Sequence, residues 1–365
     1  MKKILFLCFL FTALVVPAQT VKLNINACRV LYNPFYHKAY VAVESLDPVY
    51  PQMILQIDPI SGAVEKQISL PNNPQIIRQS ADQQYLYVSY QWKPDIMKIN
   101  LQDFTIVATI GTEGMDVVDM AVMPANANTL IVIRGHGEYP DDMVMYKNGI
   151  KQARKLNLTY SSFSALCIKN DGSKLYMHNR ISTGYEGQLV NIYDDGVEAV
   201  GKIWDYMITG FSFIKNNNNL IYNESGKVLE VFNDSIPKII GRMPTGRISD
   251  YGRAGYEYSP IHQCYVFGHT YDYKGYISFF HGKHYNYQGS YLLSGQLEII
   301  YDMAIVDQNH FILVGLKYSG ENKCLLLYAA ESKNKVFLQS RPAEAEQNSK
   351  QGHRWGVSSG KDRGL

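Results

Sequence analysis

From position 134 to 142 the chain reads Arg-Gly-His-Gly-Glu-Tyr-Pro-Asp-Asp, so His136, Glu138, Asp141 and Asp142 place an imidazole and three carboxylates within seven residues. A loop could wrap such a set around a cation, carboxylates suiting Ca²⁺ and histidine Zn²⁺. No calcium-loop pattern accompanies them, and acidic loops are ordinarily solvated, so no metal is expected. The same stretch carries Arg134, and Arg180 and Arg253 lie in comparable segments further on. A guanidinium matches the geometry of a carboxylate or phosphate. Trp92, in Gln91-Trp92-Lys93-Pro94-Asp95, offers a flat apolar face. So do Tyr185, and Tyr271 and Tyr273 beside His269. Tyr, Trp and Arg make amphipathic contacts at modest entropy cost. The candidate binding set is therefore Trp92, Arg134, His136, Glu138, Arg180, Tyr185, Arg253, His269, Tyr271 and Tyr273. Residues that merely hold long loops down would be of the same types.

Catalytic readings have less to stand on. The one G-x-S-x-G run, Gly356 to Gly360, lies in the polar C-terminal stretch and not on a strand-to-helix turn, and the chain has no H-E-x-x-H pair and no glycine loop set between a strand and a helix. The C-x-x-C-H attachment for a haem is absent too. No catalytic residue, metal or cofactor is assigned on this basis.

For positions 92 to 273 to act together, the fold must gather their loops on one side. Short runs rich in Val, Ile, Tyr and Phe alternate with Asp, Asn, Gly and Pro, which reads as strands throughout. One strand recurs as YVAVES (40–45), YVSYQ (87–91), IVIRG (131–135), YMHNR (176–180), IYNES (221–225), YVFGH (265–269) and ILVGL (312–316). Their starts are 47, 44, 45, 45, 44 and 47 residues apart. A second strand follows each, a third follows most, and another precedes the first. Four strands in about 45 residues, seven times over, cannot bury both faces of a lone sheet; radial stacking can. The expected fold is all-β, a single seven-bladed β-propeller of four-stranded antiparallel blades over residues 19–340. In such blades the loop from the second to the third strand shares a face with the link to the next blade, so the candidate loops converge there. The segment from Val21 to Leu31 could be the innermost strand of the first blade or an outer strand closing the last, and the sequence leaves both open.

The segment YLYVSYQWKPDIMKINLQDFTIVATI (85–110) resembles the repeat of the YVTN family of β-propellers, and residues 39–74 match it comparably. Tyr40-Val41 and Tyr87-Val88 fit the strand signature, Asp58 fits the turn position and Asn100 is a near substitute. Over 111–340 the likeness is looser, the signature decaying to Ile131, Tyr176, Ile221, Tyr265 and Ile312. The resemblance implies an extracytoplasmic propeller used as a binding or surface module. Related propellers include lactone-hydrolysing enzymes and cofactor-dependent dehydrogenase subunits. The expected function is an exported module that presents a Tyr/Trp/Arg-rich loop face to an extracytoplasmic protein, peptide or glycan. The alternative is an exported enzyme, of lyase, lactonase or dehydrogenase-subunit type, with its site at the channel mouth.

The ends fix the expected compartment. Lys2 and Lys3 precede an apolar run from Ile4 to Val16, and Val16-Pro17-Ala18 offers a cleavage site, so residues 1–18 read as a signal peptide. The run is short of the roughly 20 residues that span a bilayer, and no later segment approaches that length. The expected location is secreted or periplasmic, with cell-surface association allowed. Without Lys2 and Lys3 the formal charge of +2 falls to none, which leaves no field to steer the chain to nucleic acid or an anionic membrane. Cys28, Cys167, Cys264 and Cys324 are far apart; isolated buried thiols are expected, although export permits disulfides. Residues 341–365, polar and poor in large hydrophobes, read as a disordered tail.

Overall fold

β-Branched and aromatic residues pack best on a pleated surface, and the repeated apolar runs form strands in the computed structural model. The structure describes residues 20–137, 139–158, 163–179, 187–204, 213–215, 220–223, 227–230, 238–242, 255–271, 274–293, 296–316, 323–330 and 335–336. Among these, every regular element is a strand, and no helix is long and apolar enough to cross a membrane. The proposed signal peptide and the polar tail at 341–365 lie outside the described residues.

The first strand, β1 (Val21–Leu23), stands apart from its sequence neighbours. Blade one is β2 (Ala27–Asn33), β3 (Lys38–Val43), β4 (Met53–Ile57) and β5 (Val64–Ser69). Blade two is β6 (Pro74–Gln79), β7 (Tyr85–Tyr90), β8 (Lys93–Asn100) and β9 (Thr105–Gly111). Blade three is β10 (Asp116–Met123), β11 (Asn126–His136), β12 (Tyr139–Lys147) and a divided outer strand, β13 (Ile150–Lys151) and β14 (Leu156–Asn157). Blade four is β15 (Phe163–Ile168), β16 (Lys174–Asn179), β17 (Gly187–Tyr193) and β18 (Gly196–Trp204). Blade five is β19 (Phe213–Lys215), β20 (Leu220–Asn223), β21 (Lys227–Glu230) and β22 (Lys238–Arg242). Blade six is β23 (Gly255–Ser259), β24 (Cys264–Tyr271), β25 (Lys274–His281) and β26 (Tyr287–Leu292). Blade seven holds β27 (Ile299–Ile305), β28 (His310–Leu316) and β29 (Cys324–Ala329), and β30 (Lys335–Val336) follows it. Each blade is an antiparallel meander in sequence order. The protein is a seven-bladed β-propeller.

The ring closes through both roles that the sequence allowed the N-terminal segment. Val21–Leu23 pairs with Leu325–Leu327 as the outer strand of blade seven, while Ala27–Asn33 pairs with Lys38–Val43 as the inner strand of blade one. At the other end of the chain, Lys335 and Val336 return to the rim of blade six, opposite Tyr291 and Ser290.

The hydrophobic core is a series of wedges between blades. Val41 and Leu55 of blade one meet Ile312 and Leu327 of blade seven, with Val21 and Leu23 of the closing strand packed beside them. Tyr40 and Ile54 meet Leu86 and Ile99 of blade two, and Tyr87 and Ile96 meet Val117 and Val132 of blade three. Cys28, Cys167, Cys264 and Cys324 are buried, and none of them forms a disulfide. In blade one, burial pushes the Cys28 thiol up to about 12.

Five inner strands carry a β-bulge at the same register, just before Arg29, Ile76, Asp119, Ala165 and Asp302. A bulge re-aims the residue beside it. At Asp119 the re-aimed carboxylate accepts the Leu166 N–H of blade four at 3.0 Å and the Arg78 guanidinium of blade two at 2.8 Å. Asp302 accepts the Val30 N–H at 3.0 Å across the seam between the last blade and the first. Burial raises the pKa of Asp302 against the pull of Arg29 and of the Val30 and Met303 amides. These bonds engage amides on an inner edge that has no neighbouring strand.

Candidate functional site

The loops joining second to third strands and the links between blades share one end of the ring, the upper face. From blade seven round to blade three this face is tied loop to loop. Lys323 of blade seven pairs with Glu44 at 2.7 Å. Asp47 is buried; one oxygen accepts the Asn26 N–H at 2.7 Å, and the other accepts the amides of Val49 at 2.9 Å and Tyr50 at 2.7 Å. Asn73, in the link to blade two, accepts the Ser45 N–H on its side chain at 2.7 Å and the Gln91 N–H on its carbonyl at 2.9 Å. Asn72 donates to the Gln91 carbonyl at 2.8 Å. The link to blade three is held by Thr112 N–H on the Pro94 carbonyl at 2.9 Å.

Arg134 anchors the next step. It is 1% exposed and donates both arms to Asp142, Nε to Oδ1 at 2.9 Å and Nη2 to Oδ2 at 2.8 Å. Its Nη1 reaches the Tyr146 hydroxyl at 3.0 Å, Glu113 Oε2 at 3.1 Å and the Thr112 carbonyl at 3.2 Å. Burial opposes its charge, but the Asp142 hydrogen bonds and surrounding negative charge outweigh that and hold the guanidinium protonated above its ordinary range. Glu113, bonded to Lys151 and to Arg134, is held below the usual glutamate range. A buried, bidentate and fully engaged pair of this kind fixes loop geometry. Gly135 beside it is obligatory: a Cβ there would lie 1.8 Å from the Tyr139 carbonyl oxygen.

On this tied base stand four exposed apolar side chains. Leu46 and Val49 of blade one, Trp92 of blade two and Tyr139 of blade three are 77%, 64%, 77% and 74% exposed. They occupy corresponding loops of three consecutive blades. Trp92 is unfavourable twice over. Tyr90 and Lys93 pair across a two-residue turn, and Trp92 takes a φ of +51° in it, where glycine or asparagine is favoured. The indole is thus left in water at a backbone position that disfavours it.

The remaining candidates fall elsewhere. His136 is on the same face, exposed, with Nδ1 at 2.6 Å from Asp141. Asp141 is thus bonded to His136 and Asp142 to Arg134; among the described residues no three His, Cys, Asp or Glu side chains gather as a metal set. His269 is buried in blade six, stacked on Tyr276, with Nε2 at 2.6 Å from Ser278 Oγ. A chain of hydroxyls continues from Ser278 through Ser290 to Tyr287. Burial lowers the His269 pKa to about 4, so the ring is neutral at ordinary pH. Tyr271 ends β24, its backbone paired with Lys274. Glu138, Arg180, Tyr185, Arg253 and Tyr273 lie outside the described residues. The structure therefore puts Trp92 and His136 on one exposed face, Arg134 beneath it, and His269 inside another blade. Leu46, Val49 and Tyr139 were absent from the sequence-derived set. Their signal was large apolar residues inside the loops ESLDPVYPQ (44–52) and HGEY (136–139).

No family model matches the chain, and no curated protein does. Among solved structures it is similar to Kuenenia stuttgartiensis hydrazine synthase, with a TM-score of 0.61 at 13% identity over 85% of this chain and 98% of that one. It is also similar to the β-propeller domain of Myceliophteria thermophila Cps50 (Swd1), with a TM-score of 0.62 at 10% identity over 86% and 99% of the two chains. At these identities the likeness shows the propeller fold alone.

Proposed function

We propose that this is an exported β-propeller binding module whose upper face, from blade one to blade three, takes an extracytoplasmic protein, peptide or glycan. The observation that carries the proposal is Trp92, exposed on a strained turn and flanked in the adjoining blades by exposed Leu46, Val49 and Tyr139. Cross-tied loops hold these side chains in place before a partner arrives, which lowers the ordering cost of binding. The signal-peptide pattern at residues 1–18 and the likeness of residues 39–110 to YVTN repeats agree with an extracytoplasmic role. The test compares the mature chain with an L46S/W92S/Y139S variant on peptide and glycan arrays, folding being checked by circular dichroism. Ligands that the native chain retains should be lost by the variant. Equal retention by both would refute the assignment of this face.

A further inference from the structure

An unpaired strand edge invites another strand, and stable proteins blunt such edges with charge, brevity, breaks or cover. Six outer strands of this ring are blunted in one of those ways. Glu65 and Lys66 lie on β5, Glu198 on β18 and Lys238 on β22. Blade three divides its outer strand into two pieces of two residues each, and β1 is three residues long. Blade six has an uncharged outer strand, Tyr-Gln-Gly-Ser-Tyr-Leu, and β30 of the same chain covers it. That leaves β9.

β9 reads Thr-Ile-Val-Ala-Thr-Ile-Gly, seven residues without a charge, and it ends the order of its sheet. Among the described residues its backbone is hydrogen-bonded only to β8. Ile106 and Val107 are 48% and 49% exposed. A bulge at Val107 interrupts the ladder once and leaves Ala108 to Gly111 regular.

We propose that β9 pairs antiparallel with β9 of a second copy of this chain, joining two propellers rim to rim at blade two. The strand is self-complementary in that direction. Read against itself about the Val107–Ala108 bond, Thr105 faces Ile110 and Ile106 faces Thr109, pairs of β-branched residues that favour each other across strands. No like charges oppose. Blade six shows that a rim of this propeller accepts a fifth strand. A single strand pair covers less than the roughly 1,200 Å² of a stable interface, so the dimer is weak and concentration-dependent. Antiparallel pairing reverses the partner's strand direction. The two upper faces therefore point to opposite ends of the dimer, which becomes a two-sided molecule whatever those faces bind.

The test is sedimentation equilibrium with amide hydrogen exchange on the mature chain, native and V107K. Val107 is half exposed at a bulge, so a lysine there should leave melting unchanged; T109K, also at an exposed position, serves if it does not. The native chain should dimerise reversibly, and amides 105–111 should exchange more slowly as concentration rises. The lysine variant should stay monomeric, with exchange independent of concentration. Three results would each overturn the proposal: a native chain monomeric to its solubility limit, a dimer that survives the lysine, or β9 protection that does not vary with concentration. The last would mean that a segment of the same chain covers the edge.

Discussion

Replacing Trp92 with glycine should make the protein slightly more stable while abolishing binding. The φ of +51° is left-handed backbone, which costs a residue bearing a Cβ roughly 1–2 kcal/mol. Glycine removes that cost, but its freer unfolded chain gives back roughly 0.5–1 kcal/mol. The indole is 77% exposed, so little burial is lost. The balance is a gain of about 0.75 kcal/mol, within a span from none to about 1.5 kcal/mol. Urea unfolding of the mature chain, followed by far-UV circular dichroism because the substitution removes a fluorophore, measures the change as a shift in midpoint at constant slope. A loss of more than about 1 kcal/mol would mean that Trp92 packs against the fold, and the argument that it is held there for a ligand would fail.

Arg134→Met should cost about 3–5 kcal/mol, because it strands the buried Asp142 carboxylate with only Lys155 nearby, 3.3 Å away; a loss under about 1 kcal/mol in urea would show that the pair is dispensable. His269 gives a pH signature. Its pKa is lowered from 6.5 to about 4, so between those values the unfolded chain takes up a proton that the folded chain refuses, and stability falls as pH falls, by up to about 3 kcal/mol. H269Q should flatten that part of the curve relative to the native protein, and an unchanged fall between pH 6.5 and 4.5 would contradict the assignment. Deleting residues 19–23 removes the closing strand and bares the outer edge of β29; a melting temperature equal to that of the mature chain would mean that closure does not depend on β1.

The blades were legible because each second strand, such as Tyr40–Val43 or Tyr87–Tyr90, is apolar on both faces and returns at nearly constant spacing. A strand buried between two blades must be so. Closure was harder to read, since a three-residue strand such as Val21–Leu23 has no pattern of its own and only its pairing with Leu325–Leu327 identifies it. Nor could residue type alone tell what Arg134 does. An arginine near a loop tip looks the same whether it awaits an anion or is already bound. What decides is register: Arg134 lies directly opposite Asp142 across the hairpin, and both are buried. His269 followed the same course, its alternation along β24 pointing it inward toward Ser278. Trp92 stayed outside because the two-residue turn leaves its side chain nothing to pack against.

The face around Trp92 is proposed to meet a partner. Trp92 is one of three tryptophans, and a W204F/W355F chain would report on it alone. Acrylamide quenching of that chain, with and without a ligand retained on the arrays, tests the claim directly. The ligand should shield Trp92, reducing quenching and shifting its emission to the blue. If the ligand is bound and quenching does not change, the partner lies elsewhere on the propeller and the account is wrong.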